Sequence, residues 1–130
     1  MDWLKNLISK KEPTVAEVAK EQRRSFRVKI TYSVTLVAPP NAFPGYVTDF
    51  SQHGCRVMSN DPLKVGGVAT VILRGKAGQE IELKGKVIWC RKFKGDNEYS
   101  SGLEYIEFKN IKSFGDLVDF VRREKHLETM

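Results

Sequence analysis

Cysteine and histidine are scarce in this sequence, and their scarcity excludes several kinds of site. The 130 residues include two cysteines, Cys55 and Cys90, and two histidines. The cysteines lie far apart and have no CxxC or Cys/His ligand spacing around them, so the sequence predicts no structural metal site. Because free cysteine is among the most buried residue types, we expect both to be small core side chains.

Arrangements typical of a catalytic centre are missing as well. The sequence contains no Ser/His/Asp or Cys/His constellation with supporting context, no paired carboxylates in a plausible site, and no glycine-rich phosphate loop ahead of a helix. We therefore predict that the protein is not an enzyme, with no catalytic residues and no cofactor.

Long hydrophobic runs are also lacking. Residues 3–8 form an apolar stretch that is too short and too interrupted by polar residues to be a transmembrane segment or a secretory signal. We therefore expect a cytoplasmic protein, and its length suits one domain. The net charge is 22 − 16 = +6 with a pI near 9.4. A basic chain attracts anions generally, which fits a nucleotide, a nucleic acid or an acidic membrane.

The first 21 residues differ in kind from the rest. The apolar residues of the 3–8 stretch share one side of a helix, Pro13 interrupts that helix, and Thr14 with Glu17 resembles a capping box. Residues 1–21 are thus predicted to be a short helical extension. Its apolar side either docks on the rest of the domain or binds a partner or membrane surface, and the sequence leaves both open.

Alternation with a period of two begins at Val28 and predicts strands. Six strands separated by short connections are expected, at residues 28–36, 45–50, 55–59, 68–74, 80–91 and 100–108. Because no βαβ alternation is present, they favour an antiparallel barrel, which closes on itself and removes exposed edges. Gly85 would permit the bend or bulge that closure of a small barrel requires.

A helix is predicted after the last strand. Ser113 and Asp116 resemble a helix cap, and the apolar residues that follow share one side. These are Phe114, Leu117, Val118 and Val121. We expect this side to pack on an end of the barrel. The predicted organisation is a helical extension at 1–21, a barrel at 22–110 and a helical segment at 111–130.

Two short motifs carry the functional signal. Arg23 and Arg27 form Arg-x-x-x-Arg, whereas Asp49, Ser51 and Gly54 form Asp-x-Ser-x-x-Gly. Either motif alone has little specificity, since arginine is frequent here and Asp and Ser often bond their own backbone in turns. Both motifs in this order, ahead of an all-β pattern, are specific. On these residues the chain resembles the PilZ domain, the bacterial receptor module for cyclic di-GMP.

The resemblance covers residues 22–108, and the 88–89 and 101–105 stretches are also similar to later strands of the family. It implies a six-stranded antiparallel PilZ-type β-barrel, here with a C-terminal α-helix and a short N-terminal helical extension. It also implies cyclic di-GMP as the ligand and a downstream protein partner, which the sequence does not identify.

The residue types of both motifs suit that ligand. A guanidinium donates bidentately to phosphate or to guanine O6 and N7, a role that fits Arg23 and Arg27. Asp49 would accept from guanine N1–H or N2–H, and Ser51 would add a hydroxyl. Gly54 fits a position where the chain turns at positive φ or approaches the ligand without a Cβ in the way.

Two further residues are secondary candidates for ligand contact. Arg24 either contacts a phosphate or faces water. Trp89 either offers a stacking face at the rim of the site or belongs to the core. Both alternatives stay open for each residue. Ligand binding near Arg23 and Arg27 is expected to reposition the N-terminal segment and so to relay the signal.

The alternative function is that of a basic small barrel that binds nucleic acid, or of an adaptor that does not bind cyclic di-GMP. Basic charge and aromatic residues available for base stacking favour nucleic acid. These aromatic residues are Tyr46, Phe50, Trp89 and Phe93. Asp49 counts against it because it would place a negative charge within the proposed surface. We therefore expect no stable nucleic-acid binding.

Overall fold

A computed structural model describes residues 27–93 and 97–128. The predicted helical extension at 1–21, together with Arg23 and Arg24, lies outside the described residues. The elements are β1 Arg27–Val28, β2 Tyr32–Ala38, β3 Asn41–Ser51, β4 Gly54–Ser59, β5 Val68–Arg74, β6 Glu80–Lys92, β7 Tyr99–Lys109 and α1 Phe114–Glu128. The division of the chain at residues 21 and 110 stays a prediction.

Strands β2 to β7 close into an antiparallel barrel. The order around the barrel is β3, β2, β5, β6, β7 and β4, and β4 closes the ring by pairing with β3. The short strand β1 extends this sheet by pairing with the far end of β3. The predicted six-stranded antiparallel barrel with a C-terminal helix is therefore confirmed, with one strand more than expected.

The extra strand arises because β3 is long. Its first part pairs with β2 and its last two residues pair with β1, so the predicted strand at 28–36 is divided at residues 29–31. The predicted start of β3, at Gly45, is also too late, since the strand begins at Asn41. Pro44 lies within the strand opposite Thr35, just outside the residues that pair with β4, where the missing N–H is tolerated.

Inward-facing residues of all six barrel strands share one core with the helix. The most completely buried apolar side chains are Leu36, Val47, Phe50, Val57, Val71, Leu73, Leu83, Val87, Leu117 and Val121. Strand β7 contributes Leu103, which is 4% exposed. The predicted apolar side of α1 therefore does pack on the barrel. It also includes Phe120, which is 3% exposed and lies 6.2 Å from the Tyr32 ring.

Closure involves a bulge at the level of Gly85. Lys84 pairs with Glu107 and Gly85 pairs with Tyr105, which leaves Ile106 as the extra residue in β7. The bend was expected in β6, but the additional residue belongs to its partner strand. Ile106 is accordingly exposed.

In residues 27–93 and 97–128, no helix has the length and apolarity needed to span a membrane. The same residues contain no group of three or more His, Cys, Asp or Glu placed to hold a metal ion. Cys55 is buried as expected, whereas Cys90 is only half-buried.

A buried carboxylate attaches α1 to the barrel. Glu124 is 4% exposed, and its Oε1 accepts a hydrogen bond of 2.9 Å from the Lys76 N–H in the turn between β5 and β6. At the other end of the helix, Ser113 Oγ accepts from the Asp116 N–H at 3.1 Å, as the predicted cap requires. The helix is thus attached to the barrel by its apolar side and by the Glu124 contact near its C-terminal end, and it is capped locally at its N-terminal end.

Replacing Glu124 with Ala should lower the free energy of unfolding by about 1–3 kcal/mol, because the partly buried Lys76 N–H loses its acceptor. Urea unfolding followed by circular dichroism measures the change. Asp119→Ala is the matched control, since it removes an exposed carboxylate from the same helix. Equal destabilisation by both substitutions would contradict this role of Glu124.

Candidate functional site

A groove of about 510 Å³ on the outer face of the barrel contains every described residue that the motifs single out. Arg27, Asp49, Ser51, Gly54 and Trp89 all line it. The other lining residues are Lys29, His53, Cys55, Arg56, Ile88, Gly102, Leu103 and Glu104. Two other grooves, of about 630 and 880 Å³, contain none of the predicted residues. We favour the smaller groove because its side chains have the chemistry of an anion site.

A β-bulge turns Asp49 onto this outer face. Val47 pairs with Val57, but the next pair is Asp49 with Arg56, so Thr48 is an extra residue in β3. Strict alternation would place Asp49 on the same side as Val47, in the core. The added residue reverses the alternation and lets Phe50 face inward instead, where it is 1% exposed.

A second bulge does the same for Trp89. Val87 pairs with Leu103 and Trp89 pairs with Gly102, so Ile88 is the extra residue in β6. The indole therefore leaves the core side of the strand and lies over Gly102, where a Cβ would overlap the ring. Of the two alternatives for Trp89, the half-buried position at the groove is the one observed.

The two bulges align residues from four adjacent strands. Asp49 of β3 pairs with Arg56 of β4, Arg56 pairs with Gly102 of β7, and Gly102 pairs with Trp89 of β6. These four residues form a continuous row across the outer face. Arg27 lies beside one end of the row, because it is the pairing partner of Ser51 at the end of β3.

Ser51 organises the turn between β3 and β4. Its Oγ accepts hydrogen bonds from the N–H groups of His53 and Gly54, both at 3.3 Å, and donates to the Gly54 carbonyl at 3.1 Å. The Tyr105 N–H donates to the His53 carbonyl at 2.9 Å and joins the turn to β7. The turn is therefore fixed to two strands. The contribution of Ser51 to ligand binding stays a prediction.

Gly54 permits a close approach between strands. A Cβ at this position would collide with the backbone carbonyl of Leu103 in β7. A positive φ, the first reason considered for this glycine, is not observed at Gly54. The group that approaches it is a neighbouring strand, and close approach of the ligand stays a prediction. The glycine thus allows β4 and β7 to lie close together beneath the groove.

Charges of both signs surround the groove. Three cations line it, Arg27, Lys29 and Arg56, together with two carboxylates, Asp49 and Glu104. The motifs did not identify Arg56. Its signal was present in the sequence, since strand alternation from the buried Cys55 places the following residue on the outer face.

Two buried titratable groups, the Cys55 thiol and the Tyr105 hydroxyl, lie near Asp49. Burial, and to a lesser degree the Asp49 charge, raises the pKa of the Cys55 thiol from 9.0 to about 12. Burial also raises the pKa of the adjacent Tyr105 hydroxyl. Both groups are therefore neutral at pH 7, and Cys55 is not an activated nucleophile.

Comparison with known proteins agrees with this architecture. A family model, described as PilZ domain, matches residues 21–123. Comparison with curated proteins found no match. A solved structure of the Bacillus subtilis inhibitor of motility, MotI/DgrA, superposes with a TM-score of 0.57 at 18% sequence identity. The alignment covers 82% of this chain and 51% of that one, so the chain spans about half the length of that protein.

Gly54→Ala should destabilise the protein by about 1–3 kcal/mol, because the Leu103 backbone has to move away from the new Cβ. Thermal and urea unfolding measure the loss. Gly115→Ala is the matched control, since the nearest atom to its added Cβ is Ser113 Oγ at 3.6 Å. If Gly54→Ala is as stable as the control, the close approach of β4 to β7 is not required.

Proposed function

The chain belongs to the PilZ domain family, and from this premise we propose that it binds cyclic di-GMP in the groove of the outer barrel face and acts as a receptor, not as an enzyme. PilZ domains are regulatory binding modules. The observation that carries the proposal is the convergence of Arg27, Asp49, Ser51 and Gly54 on one groove, although they come from two separate motifs.

The chemistry of each motif suits one part of the ligand. Arg27, with Arg23 of the same motif, supplies guanidinium groups for phosphate or for guanine O6 and N7. Asp49 supplies an acceptor for the N1–H and N2–H groups. Trp89 is half-buried at the groove, with the Arg91 guanidinium 5.3 Å from its ring centroid, and is a secondary candidate for stacking on a base. Arg24 is a further candidate for phosphate contact.

The ligand would bridge the closed barrel and the short strand β1. Asp49 and Trp89 belong to strands of the closed barrel, whereas Arg27 belongs to a strand of two residues that, among the described elements, pairs with β3 alone. A ligand that bridges these elements would favour one position of the chain ahead of Arg27. We propose that this change presents residues 1–21 and the adjacent barrel surface to a cytoplasmic partner protein.

The nucleic-acid alternative receives less support. Phe50 is buried in the core and offers no surface for base stacking. Both Asp49 and Glu104 line the groove and would repel a polyanion. A compact pocket for a dianionic nucleotide tolerates such carboxylates, since they accept hydrogen bonds from guanine.

Arg23→Ala and Arg27→Ala should each weaken cyclic di-GMP binding by about 1–3 kcal/mol, roughly 5- to 150-fold, through loss of a bidentate contact. Titration calorimetry measures the affinity and the stoichiometry, with GTP and cyclic di-AMP as ligand controls. Arg74→Ala is the protein control, since it removes the same charge from an ion pair with Glu80 outside the groove. Wild-type affinity in both motif variants would refute the assigned pocket.

The salt dependence of the binding affinity distinguishes the two functions. Cyclic di-GMP affinity should fall only slightly between about 50 and 200 mM salt, because few counterions are released, whereas polyelectrolyte binding falls by orders of magnitude. The same range is measured with a single-stranded oligonucleotide. Tight and steeply salt-dependent oligonucleotide binding, without binding of the dinucleotide, would favour the alternative.

A further inference from the structure

We propose that Arg56 is a positioning residue that makes this site selective for guanine, by holding the Asp49 carboxylate in one orientation. The inference rests on the proposed function, since it concerns how the same groove recognises the base. It adds a residue that belongs to neither motif.

Arg56, Thr48 and Asp49 form a triangle of polar contacts. Arg56 Nε donates to Thr48 Oγ1 at 2.9 Å and lies 3.4 Å from Asp49 Oδ2. The Thr48 hydroxyl lies 3.3 Å from Asp49 Oδ2, which is closer than its 3.5 Å contact with the Arg56 carbonyl. Both contacts to the carboxylate therefore involve the same oxygen.

The bulge places this triangle at the groove. Thr48 is the extra residue of β3, and Asp49 and Arg56 are directly paired on the outer face. The side chain of Asp49 is 12% exposed, whereas that of Arg56 is 47% exposed. A largely buried carboxylate with two partners on Oδ2 has little freedom to rotate. Oδ1 has no hydrogen-bond partner among the described residues and is the acceptor left for a ligand.

A fixed acceptor distinguishes bases by the donors that they carry. Guanine offers N1–H and an amino group at C2 on one edge, whereas hypoxanthine offers N1–H alone. Oδ1 has two lone pairs and, held in one orientation, can accept from both guanine donors, whereas hypoxanthine would leave one of these two hydrogen bonds unmade. A carboxylate free to rotate would accept from N1–H equally well in either base. By immobilising the Asp49 carboxylate, Arg56 would make the site selective for guanine.

The test compares cyclic di-GMP with cyclic di-IMP, which differs only in lacking the two C2 amino groups. Titration calorimetry is run on the full chain, on Arg56→Gln and on Thr48→Val, whose thermal unfolding confirms that they are folded. Wild type should prefer cyclic di-GMP by ~10–100-fold. Both variants should bind cyclic di-GMP ~10-fold or more weakly, retain most of their cyclic di-IMP affinity, and so lose the preference.

Arg74→Gln is the matched control. Arg74 also contacts a threonine and a carboxylate, with Nη1 2.8 Å from Thr35 Oγ1 and Nε 3.0 Å from Glu80 Oε2, but lies outside the groove. This variant loses the same charge and should keep the wild-type preference. The comparison separates positioning from a general effect of positive charge.

The remaining outcomes are distinguishable. Equal weakening of both nucleotides in Arg56→Gln would overturn the inference, because it would make Arg56 a simple phosphate contact. An unchanged preference in Arg56→Gln would also overturn it, while cyclic di-GMP binding by wild type would leave the proposed function intact. If wild type binds neither nucleotide, the proposed function fails and the inference fails with it.

Discussion

The groove depends on two interruptions of strand alternation. In a regular strand, alternate side chains face the same side, and the pattern that buries Val47 and Val87 would bury Asp49 and Trp89 as well. One extra residue in β3 and one in β6 reverse the pattern at the same level of the barrel. Polar and aromatic side chains therefore reach the surface while the core beneath them stays apolar. The site is built without leaving an unpaired charge inside the barrel.

Closure of the barrel gives this surface its stiffness. Asp49, Arg56 and Trp89 belong to strands that are paired on both sides, and the turn containing Ser51 is bonded to β7 as well. Arg27 belongs to the one described strand that pairs on a single side and over two residues. A receptor of the PilZ family that binds across both parts would therefore convert binding energy into a change in the chain ahead of Arg27, rather than into distortion of the barrel.

Most of the fold could be predicted from periodicity, since amphipathic strands and an amphipathic helix are local patterns. The observed strands differ from the predicted ones where pairing with a distant strand decides the boundary. The predicted strand began at Gly45, but Pro44 is tolerated within β3 because β4 does not pair there. Residues 29–31 interrupt a strand whose two parts pair with different stretches of β3. Phe120 joins the apolar side of α1 because Tyr32 lies opposite it.

By itself, the sequence determined the residue types of the site, because the two motifs name Arg27, Asp49, Ser51 and Gly54 without reference to any partner. It also determined the all-β class and the C-terminal helix. Only the tertiary structure decided that Asp49 and Trp89 face outward, that Arg56 lies against Asp49, and that Gly54 meets the backbone of β7. The physical reason is that a bulge is defined by counting residues on two paired strands. Register is a relation between distant segments, and no local pattern in one segment contains it.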